Sequence, residues 1–312
     1  MLLLIKFTLL YTVVLMLVAL GGMFSERSGI INIALEGIMV IGGLAGVLAA
    51  KFLHMAPFLT VTFSILIAGL AGMIYALLLG FASINLKADQ TIGGTALNIL
   101  ATALAMVVAK RVNGTQAAKL DYSNSAFLFS IGGDPKTGAV GLELSVFLPI
   151  GIALLLIAYF VLYKTRLGLR LRSCGEHPQA ADSVGINVYR MRYTGVMVSG
   201  FLGGIGGMAY IIPAISIWNF EQGVTGMGFL ALAVMIFGQW KPFRIALAAV
   251  FFSLFRAMAN IADSFPLLQD LRWPKEVYSM MPFIASMVVL ALTSKKSRAP
   301  KAEGIPYDKG MR

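Results

Sequence analysis

The chain has 312 residues, of which 58% are hydrophobic and 12% charged, and its formal net charge is +11. Soluble proteins carry roughly 45–50% apolar and about 25% charged residues, so a soluble fold lacks the polar side chains to cover it, and the chain reads as an integral membrane protein. A single cysteine and two histidines exclude a disulfide framework and leave no His/Cys metal site, and the basic residues flank apolar runs without interleaved base-reading side chains, which excludes a nucleic-acid patch.

The first charge-free run, 7–25, follows Lys6 and shows no small-residue cleavage pattern before Ser25. Residues 2–24 therefore read as a retained helix and not as a signal peptide. The next run, 37–50, is short for a bilayer that needs about 20 apolar residues, unless it borrows 30–35. The run 52–86 is too long for one span, and Pro57 marks its helix start. After the span 90–109 comes a polar stretch, 110–144, expected to be an ordered external loop. The span 144–163 leads into a basic loop, 165–192. The remaining spans are 193–220, 222–240, 244–262 and 277–294, with Arg256 placed to snorkel from the third. The expected fold is all-α: a polytopic permease domain over 1–294 with about nine transmembrane helices, some interrupted, and a tail over 295–312.

Orientation follows from the positive charges. Lys164, Arg166, Arg170, Arg172, Arg190 and Arg192 crowd one loop, and Lys295, Lys296, Arg298, Lys301, Lys309 and Arg312 crowd the tail. Both belong in the cytoplasm. Counting spans puts 110–144 outside, despite four basic residues there.

A weak internal repeat is visible. Glu26-Arg-Ser-Gly-Ile-Ile-Asn-Ile-Ala-Leu leads into an apolar run ending at Gly42, and Glu221-Gln-Gly-Val-Thr-Gly-Met-Gly-Phe-Leu leads into one ending at Gly238. The first heads outward and the second inward, the inverted arrangement that marks a transport path in membrane transporters. The polar residues in or beside these apolar runs are Glu26, Asn32, Glu36, Asn98 and Glu221. Asn32 and Asn98 have a helix–helix hydrogen-bonding alternative, Glu26 a capping or Arg27-pairing one, and Trp218 with Phe220 an interfacial-belt one. Asn32 and Glu36, four apart, share a helical face.

No Gly-x-x-x-x-Gly-Lys-[Ser/Thr] loop exists, nor a Ser/His/Asp set or a His-Glu-x-x-His. The chain is expected to be no enzyme and to bind no cofactor. The loop 165–192 carries the most information. Pro178 suits a first helical turn, His177 before it is pushed out of helical geometry, residues 179–184 can form a short helix, and Gly185 can end it. Ala180, Ala181 and Val184 give that helix a small apolar surface, and a helix so short needs a docking partner.

Gln179-Ala180-Ala181-x-x-x-Gly185 resembles the Glu-Ala-Ala-x-x-x-Gly coupling loop of ABC importer permeases. Gly175-Glu-His-Pro-Gln-Ala-Ala, Glu26 to Gly37, and Gly226-x-Gly228-Phe229 through Gly238-x-Trp240-x-Pro242 are similar to signatures of the branched-chain amino acid, simple sugar and nucleoside permeases. The length and early first helix look most like the shorter permease of nucleoside importers. His177, Gln179 and Lys241 depart from the usual residues. The resemblance implies a multi-pass permease of the bacterial plasma (inner) membrane, paired with a paralogous second permease, a cytoplasmic ABC ATPase and an extracytoplasmic substrate-binding lipoprotein. ATP and Mg would be used by the ATPase. It assigns ATPase coupling to Glu176, Pro178, Gln179, Ala180, Ala181 and Gly185. For a nucleoside, with its flat face and polar edge, the expected substrate path is Asn32, Glu36, Asn98 and Phe229. The alternatives are a sugar or branched-chain amino acid permease, or a secondary transporter or channel, which would have no use for the loop helix.

Overall fold

The computed structural model describes residues 2–131, 142–261 and 299–310, with 277, 280–285 and 287 between them. Helix α1 (Leu2–Arg27) is the pivot. It is buried from Leu10 through Glu26, which is what a helix apolar on every side requires. It runs antiparallel to α8 (Val188–Ile211): Gly195 meets Phe24 and Ser28, while Gly206 meets Val14 and Val18. Helices α2 (Leu35–Phe52) and α3 (Pro57–Gly80, prolonged by a π-helical turn over Phe81–Asn85) lie against the same α8. Glycine makes this possible. A Cβ at Gly207 would sit 2.0 Å from the Met39 carbonyl oxygen, and one at Gly42 would sit 2.2 Å from the Gly204 Cα. In lipid, helices gain little from burying apolar surface against one another, so close backbone packing does the holding.

Helices α4 (Gln90–Asn113), α5 (Phe147–Lys164) and α10 (Pro242–Ile261) form the periphery. Each shows an exposed apolar row at helical spacing, such as Ile92, Ile99 and Leu100 on α4 or Leu247, Val250 and Leu254 on α10. Such faces suit lipid or another membrane chain. Asp89 caps α4 by accepting from the Thr91 and Ile92 N–H groups, and Gly114 ends it in the left-handed conformation.

Seven helices among the described residues are long and apolar enough to cross a membrane. The expected span 222–240 is not one of them. Its helix, α9 (Met227–Phe237), has 11 residues and is about 16 Å long, half of a hydrocarbon core. The expected span 193–220 also stops early, at Ile211, before Pro213. The expected span 277–294 lies largely outside the described residues.

In the expected external loop, β1 (Lys119–Asp121) pairs antiparallel with β4 (Ile217–Asn219), and β2 (Leu128–Ile131) pairs with β3 (Leu142–Ser145). Trp218 lies buried opposite Leu120 and meets Tyr210 edge-on at 5.4 Å, so it roofs the core and does not join an interfacial belt. Lys6 pairs with Glu143, and Lys51 with Asp121 at 2.6 Å.

The loop 165–192 holds two helices where one was expected. Helix α6 (Arg166–Glu176) buries Leu171 and Cys174, and at Gly168 a Cβ would approach the Val161 carbonyl oxygen to 2.2 Å. Helix α7 (Pro178–Ser183) follows.

Candidate functional site

The two repeat segments are breaks in the helical stack, and they meet. After α1 the chain turns at Gly29, whose φ is +99°. Residues 30–34 are not helical and lead back along α8, where the Asn32 amide donates to Ser199 Oγ at 2.8 Å. Helix α2 then starts halfway along α8, with Gly42 opposite Gly204 and Gly46 opposite Met208. Its first turn is satisfied from α4: Asn98 Oδ1 accepts from the Gly37 N–H at 2.8 Å, and Asn98 Nδ2 donates to the Ile33 carbonyl at 2.9 Å.

The second break follows α8. Gly223, Thr225 and Gly226 all have positive φ, and α9 starts at Met227. The Gly226 N–H donates to Glu36 Oε1 at 2.8 Å and the Gly228 N–H to Glu36 Oε2 at 2.6 Å. A carboxylate at a helix N-terminus answers both the orphan donors and the helix dipole. Backbone groups have no water partner in hydrocarbon, so a break survives only where side chains satisfy it. The second half of the repeat is capped by a residue of the first. At Gly228 a Cβ would fall 2.5 Å from the Glu36 Cα, so glycine is needed there.

The far end of α9 is clamped as well. Trp240 Nε1 donates to the buried Glu26 at 2.6 Å, and Arg27 Nη2 donates to the Trp240 carbonyl at 3.2 Å. Gln239 and Trp240 have φ of 51° and 53°, a strained geometry for non-glycine residues that such clamping sustains.

Of the four expected path residues, only Glu36 and Phe229 reach the surface, Glu36 half-buried and Phe229 exposed. Asn32 is wholly buried, and Asn98 spends both amide atoms on the break. Three residues outside the expected path complete the junction. Arg256 on α10 donates to Thr225 Oγ1 at 3.2 Å, and that hydroxyl lies 2.8 Å from the Tyr210 hydroxyl. The expectation for Arg256 is a snorkelling side chain. Its real partner lies 31 positions away, across a turn whose course no local pattern gives.

The α7 geometry follows the expected punctuation. His177 is non-helical, with φ −144°, and Gly185 ends the turn at φ +83°. The Gly185 N–H donates to Asp182 and that of Ile186 to Ala181. Gln179, Ala180 and Val184 face outward. Ala181 does not: it is buried with Cys174, Val188 and Tyr307 of the same chain, so the outward apolar surface is Ala180 with Val184. Pro178 is buried, and Glu176 pairs with Arg27 at 3.7 Å.

The family model described as branched-chain amino acid transport system / permease component matches residues 4–291. The chain belongs to this permease family. The permease is 40% identical to the guanosine ABC transporter permease protein NupQ of Bacillus subtilis, over 98% of this chain and 96% of that protein. It is 40% identical to the nucleoside ABC transporter permease protein NupC of Lactococcus lactis, over 96% and 95%. To a second Lactococcus lactis protein, the nucleoside ABC transporter permease protein NupB, it is 25% identical over 95% and 83%. No solved structure matches the permease. With seven candidate spans among the described residues, it is a multi-pass membrane protein and the permease part of a transporter.

Proposed function

We propose that this permease is one of two non-identical membrane subunits of an importer that takes up nucleosides, driven by ATP hydrolysed on a separate cytoplasmic ATPase. The observation that carries the reading is 40% identity, over nearly the whole of both chains, to permeases whose names specify guanosine and nucleosides. Lactococcus lactis has a permease of each degree of similarity, which supports pairing with a paralogue. An extracytoplasmic binding lipoprotein delivers the solute, and the ATPase holds ATP and Mg. The outward face of α7, Gln179, Ala180 and Val184, is where the ATPase docks. Helix α7 leads directly into α8, and α8 touches α2 and α3 backbone to backbone. A push on α7 is therefore transmitted to Glu36 and the α9 start. Solute passes the exposed side of that junction, near Glu36 and Phe229, while Asn32 and Asn98 keep the break in shape.

The test is uptake of labelled guanosine by proteoliposomes containing the permease, its partner permease, the ATPase and the binding lipoprotein. ATP-dependent uptake, competed by other nucleosides but not by ribose or leucine, is expected. Uptake of sugar or leucine alone overturns the nucleoside assignment. Uptake by this chain alone, without ATP, makes it a secondary transporter.

A further inference from the structure

The sequence marks the tail as a basic extension and gives it no task. Residues 299–310 nevertheless pack back on the cytoplasmic face. The Ala302 N–H donates to the Gly175 carbonyl at the end of α6 at 2.8 Å, and the Gly304 N–H donates to the Gly29 carbonyl in the first helix break at 3.2 Å. The Glu303 carboxyl lies beside that of Glu26 and near Arg27. Asp308 pairs with Lys87, between α3 and α4.

Tyr307 is the anchor. It is buried with Cys174, Ala181 and Val188, meets Tyr189 edge-on at 5.4 Å, and shares a groove with Asp182 of α7. Its ring lies 6.0 Å from the guanidinium carbon of Arg192. Arg192 is itself buried, and its Nε and Nη2 have no hydrogen-bond partner among the described residues; the aromatic face adds an attraction for that cation. Ordering a chain segment costs about 1–2 kcal/mol per residue, and the backbone hydrogen bonds, the Lys87 pair and the buried Tyr307 are what offset it.

Between α7 and the tail lies an open groove of about 530 Å³, lined by Gln179, Ala180, Asp182 and Ser183 on one side and Tyr307, Asp308 and Lys309 on the other. Val184 and Ile305 are exposed apolar side chains on the same two elements, 74% and 55% accessible. Apolar groups left open outside the bilayer and rimmed by both signs of charge suit a protein surface.

We propose that the tail is the second wall of the ATPase dock, and that it straps this dock to the first helix break, so that the ATPase grips α7 and residues 305–309 together. This rests on the reading of α7 as the ATPase contact. The test uses the assembled importer with a photo-crosslinking amino acid at position 180 or at position 309. Capture of the ATPase from both positions is expected. Tyr307→Ala should lower capture from 309 by about tenfold or more, given what loss of a buried aromatic anchor costs, while Tyr307→Phe, which keeps the ring, should retain most of it. Capture from 180 but not 309 overturns the tail's part and leaves the coupling helix standing. Capture from 309 alone overturns the shared groove. No capture from either position overturns both.

Discussion

Glu36 does two jobs with two oxygens, accepting from Gly226 and from Gly228. Glutamine can accept with one oxygen only and would turn its NH₂ toward the other N–H. Glu36→Gln therefore leaves a buried donor unsatisfied, at a cost of about 1–3 kcal/mol. A lower unfolding midpoint of the purified complex and slower uptake are expected; an unchanged midpoint would show that the α9 start does not need the second oxygen. Glycines sort the same way. Gly207→Ala drives a methyl group to 2.0 Å from the Met39 carbonyl oxygen, so it should collapse the yield of folded permease. Gly93→Ala, in α4 with nothing within 4 Å of the new Cβ, should be neutral or stabilising by up to about 1 kcal/mol. Detergent-solubilised yield by size-exclusion chromatography reads both. The sequence placed Glu36 and Gly228 in the right segments. That each meets the other, across about 190 positions, needed the fold.

Elements sort by which side they show. Helix α7 turns Ala180 out and Ala181 in. Ala180→Arg should abolish coupling while the permease stays folded. Ala181→Arg should instead push Tyr307 out of its seat and loosen the cytoplasmic layer, seen as faster proteolysis of the tail. Equal stability of the two variants would contradict this arrangement. The short helix itself was legible because Pro178 and Gly185 act within one turn of their neighbours. The inward direction of Ala181 was not, because the tail that covers it comes from the far end of the chain. Helix α9 makes the complementary point. The charge-free run suggested a span, yet hydropathy counts apolar residues whether or not they are helical, and here Gly223 and Gly226 at positive φ keep part of the run out of the helix.

For the whole molecule, the basic loops give the expected orientation, and the packed tail adds a pH response. In a Cys174→Ser background, a cysteine at 119 should be labelled from outside and one at 309 from the cytoplasm. Labelling of 119 from the cytoplasm alone would invert the scheme. Burial is the main influence on Glu303 and raises its carboxyl above the ordinary value of 4.5, against the adjoining Glu26 carboxyl and the Arg27 charge. The docked tail thus holds that proton more tightly than a free tail does. Its docking is strongest below pH 4.5 and weakens as pH rises toward the raised value. Asp308 works the other way at lower pH, since Lys87 holds its carboxyl below the usual 3.8 and the pair is lost as pH falls through that lowered value. Protease protection of the tail, followed from pH 4.5 to 8, should decline for the parent and stay flatter for Glu303→Gln.

The sequence by itself determined the membrane environment, the breaks near Gly29 and Gly226, and the punctuation of α7, because composition and the conformational habits of glycine and proline act locally or by simple sum. Only the tertiary structure decided that Glu36 caps α9, that Glu26 clamps Trp240, that Asn32 and Asn98 serve the break, and that the tail lies against α7. Those pairings join residues from distant parts of the chain. They arise because a broken helix in hydrocarbon must find its missing hydrogen-bond partners within the protein, wherever along the chain those partners lie.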